Sequence, residues 1–134
     1  MSNTGYALTG FVSWALFLLV LMETIRTYFV ATRKVAANGF TPDNSGLSPF
    51  MQRLARAHAN CIEGLPIFGG LLAIAIMTSQ TGITDPLAFW LLGARIVQSI
   101  IHLVSTSAIA VSLRFVAFAI QMAIGVYWAW RLMG

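Results

Sequence analysis

Four stretches of this chain are apolar over at least about 20 residues, the length that an α-helix needs to cross a bilayer. They lie at about 7–31, 50–79, 86–107 and 108–133, and the mean hydropathy of all 134 residues is +0.80. These stretches leave no room for a soluble domain. The sequence therefore predicts one all-α domain, residues 1–134, folded as an integral membrane four-helix bundle.

Basic residues predict the orientation of the bundle. Arg33, Lys34 and Arg53 flank the long first loop (32–49), and Arg114 lies near the third loop. Because short loops rich in Lys and Arg stay in the cytoplasm, we expect the first and third loops inside and both termini outside. In a bacterium this would be the inner membrane. The net charge of +4 is then explained without a nucleic acid partner.

Four local features lead to further expectations. The N-terminal segment has no basic region before its apolar run, so the first span is expected to be retained and not cleaved as a signal peptide. Cys61 is the single cysteine, so we expect a small packing residue and no intrachain disulfide. Asp85 is a candidate N-cap of the third helix, with Pro86 in its first turn. Pro66 should bend the second helix.

A polar stripe runs along the second span, although the chain has only 8 Lys and Arg and 4 Asp and Glu. At 100° per residue, Arg53, Arg56, Asn60 and Glu63 fall within a sector of about 80° and rise about 15 Å into the membrane. His58 points to the opposite side. Charges at depth cost about 2.5–3.5 kcal/mol each, so they need partners on other helices or on a ligand.

Two other spans carry polar residues on one face. Arg95, Gln98 and His102 are spaced i, i+3, i+7 in the third span, and Glu23 and Arg26 are spaced i, i+3 in the first. Residues at these spacings share a helix face. We therefore predict that the polar stripes of the first three spans converge.

Two interpretations of this convergence remain open. Ion pairs such as Glu63 with Arg95 could simply hold the helices together. Alternatively, the cations outnumber the acids on these faces and require an anion, which an amphiphilic small molecule with carboxylates could supply from the cytoplasm. The residues concerned are Arg26, Arg53, Arg56 and Arg95 against Glu23 and Glu63.

The segment "RLARAHANCIEGLPIF" (53–68) resembles the R-x-x-R-A-x-x-N-x-x-E-x-x-P signature of the membrane-associated proteins in eicosanoid and glutathione metabolism, the MAPEG family. "RKVAAN" upstream and "ARIVQSIIH" in the third span also resemble this family. The resemblance covers the whole chain. It implies a homotrimer of four-helix protomers, with glutathione bound between neighbouring protomers near the cytosolic side.

The resemblance also implies roles for individual residues. One basic residue of the first helix region would join the site, and Arg26, Arg33 and Lys34 remain alternatives for it. Relatives of the eicosanoid branch carry tyrosines where this chain has Gln98 and His102, and Arg114 comes a few residues later than their thiolate-stabilising arginine. The implied set is Arg114 as the catalytic residue and Arg33, Arg53, Arg56, His58, Asn60, Glu63, Arg95, Gln98 and His102 as glutathione-binding residues, with no metal.

The function implied is that of a glutathione-dependent transferase or peroxidase whose lipophilic second substrate arrives through the membrane lipid. The thiolate is the nucleophile, and a free thiol has a pKa near 8.5. Lowering that pKa by two units needs about 2.7 kcal/mol, which one arginine in a dry site can supply. The alternatives are a non-catalytic membrane protein on the same scaffold that binds glutathione or lipid, and a small transporter. Neither the broken helices nor the paired halves typical of a transporter are visible.

Overall fold

The computed structural model describes residues 1–134 and is entirely helical. Four long helices make up the chain, and each is long and apolar enough to cross a membrane. The protein is therefore a multi-pass integral membrane protein, and the predicted all-α, four-helix architecture is confirmed. The helices are α1 (Asn3–Ala31), α2 (Pro49–Met77), α3 (Thr81–Val104) and α4 (Ala108–Leu132).

Two contacts show that the helices run up and down through the bundle. At one end, the backbone N–H and the hydroxyl of Thr4, in the first turn of α1, both donate to Asp85 Oδ1 of α3, at 2.9 and 2.6 Å. At the other end, Arg53 Nε near the start of α2 donates to Leu103 O near the end of α3, at 2.8 Å. The first and third loops therefore lie at the same end of the bundle.

The predicted role of Asp85 is wrong, and Pro86 does not lie in the first turn of its helix. Helix α3 begins at Thr81, after Gln80, so both residues lie inside it. The Asp85 carboxylate instead satisfies an N–H of the first turn of α1, which has no partner within its own helix. A carboxylate is favourable at this position because the N-terminus of a helix carries partial positive charge.

Helix α3 is the centre of the bundle, because it packs more extensively than any other helix against the remaining three. Its buried face includes Ala88 and Leu91 and continues into polar residues towards the end of the helix. The apolar core around it contains Phe11, Leu18, Leu54, Leu72 and Trp128, all fully buried. The polar part of the α3 face therefore lies inside the protomer, where each polar group needs a partner.

Helix α2 widens into a π-helical turn at Leu65–Gly69. Pro66, where we predicted a bend, lies in this turn and has no N–H to donate to the preceding turn. Cys61, one turn earlier, is fully buried and free, as a packing residue would be. The π turn follows directly on the segment that carries the polar stripe.

The first loop is held against the bundle by Asn44. This residue is fully buried and has a left-handed backbone (φ 56°), which asparagine tolerates better than most residues. Its Oδ1 accepts from Arg26 Nε at 3.0 Å and from Arg26 Nη2, while its Nδ2 donates to Met51 O at 2.7 Å. The loop is thus bonded to both α1 and the first turn of α2.

Candidate functional site

A buried hydrogen-bonded network joins α2, α3 and α4 around Asn60. Arg95 Nη1 donates to Asn60 Oδ1 at 2.6 Å, and Gln98 Nε2 donates to the same oxygen at 3.1 Å. From α4, Gln121 Nε2 donates to Gln98 Oε1 at 2.8 Å and to Ala117 O at 3.1 Å. The polar faces of α2 and α3 therefore meet at Asn60, as predicted.

Arg95 is a buried cation without an acidic partner. Its side chain is fully buried, it makes no ion pair, and its Nε and Nη2 have no hydrogen-bond partner. The guanidinium lies 5.4 Å from the centre of the Phe11 ring and packs so closely on Gly64 that a Cβ there would come within 2.5 Å of Nη2. A glycine at position 64 thus makes room for Arg95, and the postulated Glu63–Arg95 ion pair is not formed.

Three basic side chains gather between α2, α3 and α4 at the end of the bundle where the third loop lies. Arg56 is exposed, Arg114 is partly buried and His102 is buried. Arg56 lies near enough to Arg114 and to His102 for its charge to repel theirs, and the charge of Arg114 likewise opposes a charge on His102. Arg114 Nε and His102 Nδ1 have no hydrogen-bond partner. No carboxylate of the chain forms an ion pair with this basic cluster of Arg56, His102 and Arg114, because the one ion pair of the protein joins Arg26 and Glu23.

A cleft of about 230 Å³ opens beside Arg56 at this end of the bundle. Because Arg53 Nε donates a hydrogen bond to Leu103 O, Arg56 is the less restrained of the two arginines in the cleft. The other lining residues are polar or small, so the cleft suits a charged group better than a hydrocarbon. The cleft is lined by Pro49, Gln52, Arg53, Arg56 and Thr106.

The polar residues of α1 form a separate group. Arg26 Nη1 contacts Glu23 Oε1 at 3.1 Å, and the rest of its guanidinium bonds the first loop through Asn44 Oδ1 and Thr41 O. His58 of α2 lies near enough to Glu23 and Arg26 for the charges of both to act on its imidazole. The predicted convergence of three stripes is therefore wrong for α1, because the first loop occupies Arg26 and because His58, not Asn60, faces this side of α2.

The remaining predicted residues lie on the outside of the protomer. Arg33 follows the end of α1, is exposed and has a left-handed backbone (φ 59°). The ammonium group of Lys34 lies 5.3 Å from the centre of the Tyr28 ring. Glu63 is exposed on α2 and has no hydrogen-bond or ion-pair partner within the protomer. Within a membrane span, a carboxylate normally has a hydrogen-bond or charge partner.

Gln121 is the network residue that the sequence-based prediction missed. It is fully buried and it carries the contact between α4 and Gln98. The signal was present, because Gln121 is a lone amide inside the apolar segment "FVAFAIQMAIGVYWAW". A polar side chain in such a segment normally faces other helices, since lipid offers it no hydrogen bond.

Comparison with models of known protein families shows to which family the chain belongs. A model of the MAPEG family matches residues 6–134, nearly the whole chain. The chain belongs to the MAPEG family. No curated protein and no solved structure matches it.

Membership of the MAPEG family agrees with the four membrane-spanning helices and with the motif on α2. In this MAPEG protein the motif residues divide between two sides of the second helix. Arg56 and Asn60 lie on the side of α3 and α4, and His58 lies on the side of α1.

Proposed function

We propose that this protein is a membrane-bound glutathione-dependent transferase or peroxidase. The observation that carries the proposal is the basic cluster of Arg56, His102 and Arg114, which no carboxylate of the chain neutralises. Like charges gathered in one place are unfavourable without a counter-charge, and two of these side chains also have an unpaired nitrogen. Glutathione carries two carboxylates and a thiol, so it supplies the missing charge and brings a reactive group with it.

We further propose that the working unit is a homotrimer with glutathione between neighbouring protomers. The cleft beside Arg56 measures about 230 Å³, less than the range of about 300–1,000 Å³ typical of small-molecule sites. Glu63 and Arg56 are exposed on the single chain although they lie in a membrane span. Both observations support a site that is completed by a second copy, with Arg56 contributed by one protomer and His58 by the next.

The first-helix basic residue of such a site would be Arg26. It faces His58 across the α1–α2 contact, and it lines a second cleft of about 390 Å³ together with Glu23 and Phe40. Arg33 and Lys34 are exposed beyond the end of α1, and neither side chain forms a hydrogen bond or an ion pair. In the assembled trimer, the clefts of adjacent protomers would face each other across one ligand.

The chemistry would begin with loss of the glutathione thiol proton. Arg114, with its free Nε, would stabilise the thiolate electrostatically. In a transferase reaction the sulfur forms a bond to an electrophilic carbon and displaces a leaving group. In a peroxidase reaction two glutathione molecules supply two electrons, and a lipid hydroperoxide becomes an alcohol and water while a glutathione disulfide forms.

The lipophilic substrate would reach the site from the bilayer. An apolar groove of about 470 Å³ lies between α3 and α4, and Trp90, Val97 and Leu113 are among its lining residues. Since the third loop is near the basic cluster, we place this end of the bundle in the cytoplasm and both termini outside. In a bacterial host the membrane would be the inner one.

A second candidate function is non-catalytic binding of glutathione or lipid on the same scaffold. Gln98 favours it, because both ends of its amide are engaged within the protein, by Asn60 and by Gln121. With both ends engaged and the side chain only 3% exposed, Gln98 is poorly placed to replace a catalytic tyrosine. This reading predicts glutathione affinity without turnover.

Purified protein in lipid nanodiscs distinguishes the two candidates. Loss of the glutathione thiol is followed with an activated aryl chloride, and glutathione oxidation with an organic hydroperoxide. The enzyme reading predicts turnover that Arg114→Ala suppresses more strongly than it weakens glutathione binding, while Arg131→Ala at the opposite end of α4 leaves both unchanged. Binding without turnover of either substrate supports the non-catalytic function, and the absence of binding contradicts both.

A further inference from the structure

The network around Asn60 has a fixed direction that starts at Arg95. A guanidinium can only donate hydrogen bonds, so the atom of Asn60 that faces Arg95 Nη1 must be the carbonyl oxygen. Gln98 meets the same oxygen and must therefore present its NH₂ group to it. This turns Gln98 Oε1 towards α4, where Gln121 has to donate. The orientation of three amides thus follows from one residue that cannot accept.

The consequence for Asn60 is a free donor. Its oxygen accepts two hydrogen bonds inside the bundle, while its Nδ2 has no partner in the protein and remains accessible from outside the protomer. Asn60 shares the polar side of α2 with Arg56 and Glu63. An NH₂ group held in this way can donate to a carbonyl or carboxylate oxygen but can accept nothing.

Gln121 is the last of the three hydrogen-bonded amides, on the α4 side of the network. Its Nε2 is shared between Gln98 Oε1 and the main-chain oxygen of Ala117, one turn earlier on α4. Gln121 itself is fully buried, so it does not touch a ligand. Without it, Gln98 Oε1 would lack its partner, and the amide of Gln98 could turn and offer its oxygen to Asn60.

We propose that Gln121 is a positioning residue of the ligand site: through Gln98 it stabilises the orientation, set by Arg95, in which Asn60 donates a hydrogen bond to an oxygen of glutathione. This inference rests on the proposed function for the identity of the ligand but not for the direction of the network. The proposal gives α4 a second residue with a role in the site, Gln121, in addition to Arg114. It also explains why an amide is buried at position 121 in an apolar helix.

The test compares Gln121→Met with the wild-type protein in proteoliposomes. Solid-state NMR with ¹⁵N-labelled asparagine observes four side-chain amides, those of Asn3, Asn38, Asn44 and Asn60, and the Asn60→Asp variant identifies the Asn60 signal by its loss. We expect one narrow Asn60 signal in the ligand-free wild type and a broadened or split one in Gln121→Met. Ser99 lies on α3, and its buried hydroxyl has no hydrogen-bond partner. Ser99→Ala should therefore leave the Asn60 signal unchanged.

Binding of reduced glutathione is then measured by calorimetry. We expect the wild-type Asn60 signal to shift on binding, and Gln121→Met to weaken the affinity by about three- to tenfold. Where turnover is present, KM should rise and kcat should change little. An Asn60 signal and an affinity that are both unchanged in Gln121→Met would overturn the proposal. Failure of the wild type to bind glutathione would overturn the proposed function, while the ligand-free signals still decide whether Gln121 orders Asn60.

The Asn60→Asp variant keeps the test decisive if Gln121→Met does not fold. A carboxylate retains both internal hydrogen bonds and lies beside the Arg95 charge, but it has no NH₂ group to offer. We expect a thermal midpoint no lower than that of the wild type and a glutathione affinity lower by about tenfold or more. An unchanged glutathione affinity in a folded Asn60→Asp protein would contradict the donor role of Asn60.

Discussion

Asn60 Oδ1 accepts a hydrogen bond from Arg95 Nη1 at 2.6 Å, and this contact is the shortest hydrogen bond between α2 and α3. Arg95 is fully buried and has no acidic partner. Within the protomer its guanidinium donates hydrogen bonds only to the main-chain and side-chain carbonyl oxygens of Asn60. The contact connects the family motif on α2 with the centre of the bundle. It therefore couples the packing of α2 on α3 to the proposed ligand site.

Removal of the Asn60 amide should destabilise the bundle. Asn60→Leu leaves Arg95 without its side-chain acceptor, and loss of a hydrogen bond to a buried charged group amounts to about 2 kcal/mol. Reversible unfolding in mixed micelles measures the change in the free energy of unfolding. Ser99→Ala, the control, should change it by less than about 0.5 kcal/mol. Equal effects of the two substitutions would mean that the Arg95 contact contributes little.

Acid should loosen the first loop through Asp43. Hydrogen bonds from the Thr41 hydroxyl at 2.7 Å and the Ser45 N–H at 3.0 Å hold the pKa of the Asp43 carboxyl below its ordinary value of 3.8. Since the folded pKa is lower than the unfolded one, this stabilisation is present above the unfolded pKa and is lost as the pH falls through the folded pKa. Titration of the Asp43 carboxyl carbon by NMR measures the shift, and a value at or above 3.8 would contradict it.

Asn44 should determine how tightly the first loop is held. Asn44→Ala removes its bonds to Arg26 and to Met51 O and places alanine at a left-handed φ that asparagine tolerates better, with an expected loss of about 2 kcal/mol in stability. Limited proteolysis of residues 32–48 should become faster. Asn44→Gly retains the backbone freedom and isolates the hydrogen bonds, and Asn38→Ala, at an exposed position in the same loop, serves as the control. Equal proteolysis of all variants would show that the loop is held in another way.

Mixed trimers should test whether one ligand is shared between protomers. His58 faces α1, whereas Arg114 lies beside Arg56 and His102, so we expect the two to serve the same ligand only across a subunit boundary. His58→Ala and Arg114→Ala should each lose most activity. Their random co-assembly in a cyclic trimer should restore roughly a quarter of the sites. No recovery in mixed trimers that assemble normally would place the site within one protomer.

The helical architecture followed from the sequence because hydrophobic length is decisive in a bilayer. Four apolar stretches in 134 residues admit few other folds, and the polar stripe on α2 was visible from helical spacing alone. The start of α3 was misplaced, since Asp85 followed by Pro86 looks like the beginning of a helix until the first turn of α1 is seen to use the Asp85 carboxylate. Such a contact between distant segments leaves no local signal.

The pairing of the polar residues was less predictable than their positions. Arg26 and Glu23 were expected to join the other stripes, but the loop residue Asn44 folds back and takes up Arg26 instead. Gln121 was overlooked because a single amide forms no pattern in a sequence, although its depth in an apolar helix was informative. Helical spacing predicts which residues share a face, and only packing decides which faces meet.

The central claim is that the uncompensated arginines of this membrane protein receive a negatively charged thiol peptide. Calorimetric titration of the wild-type protein in nanodiscs with reduced glutathione tests it most directly, beside Arg56→Ala, Glu63→Ala and the distant control Arg131→Ala. We predict saturable binding that Arg56→Ala and Glu63→Ala each weaken by about tenfold or more and that Arg131→Ala leaves unchanged. Absence of binding, or equal affinity in all four proteins, would contradict the account.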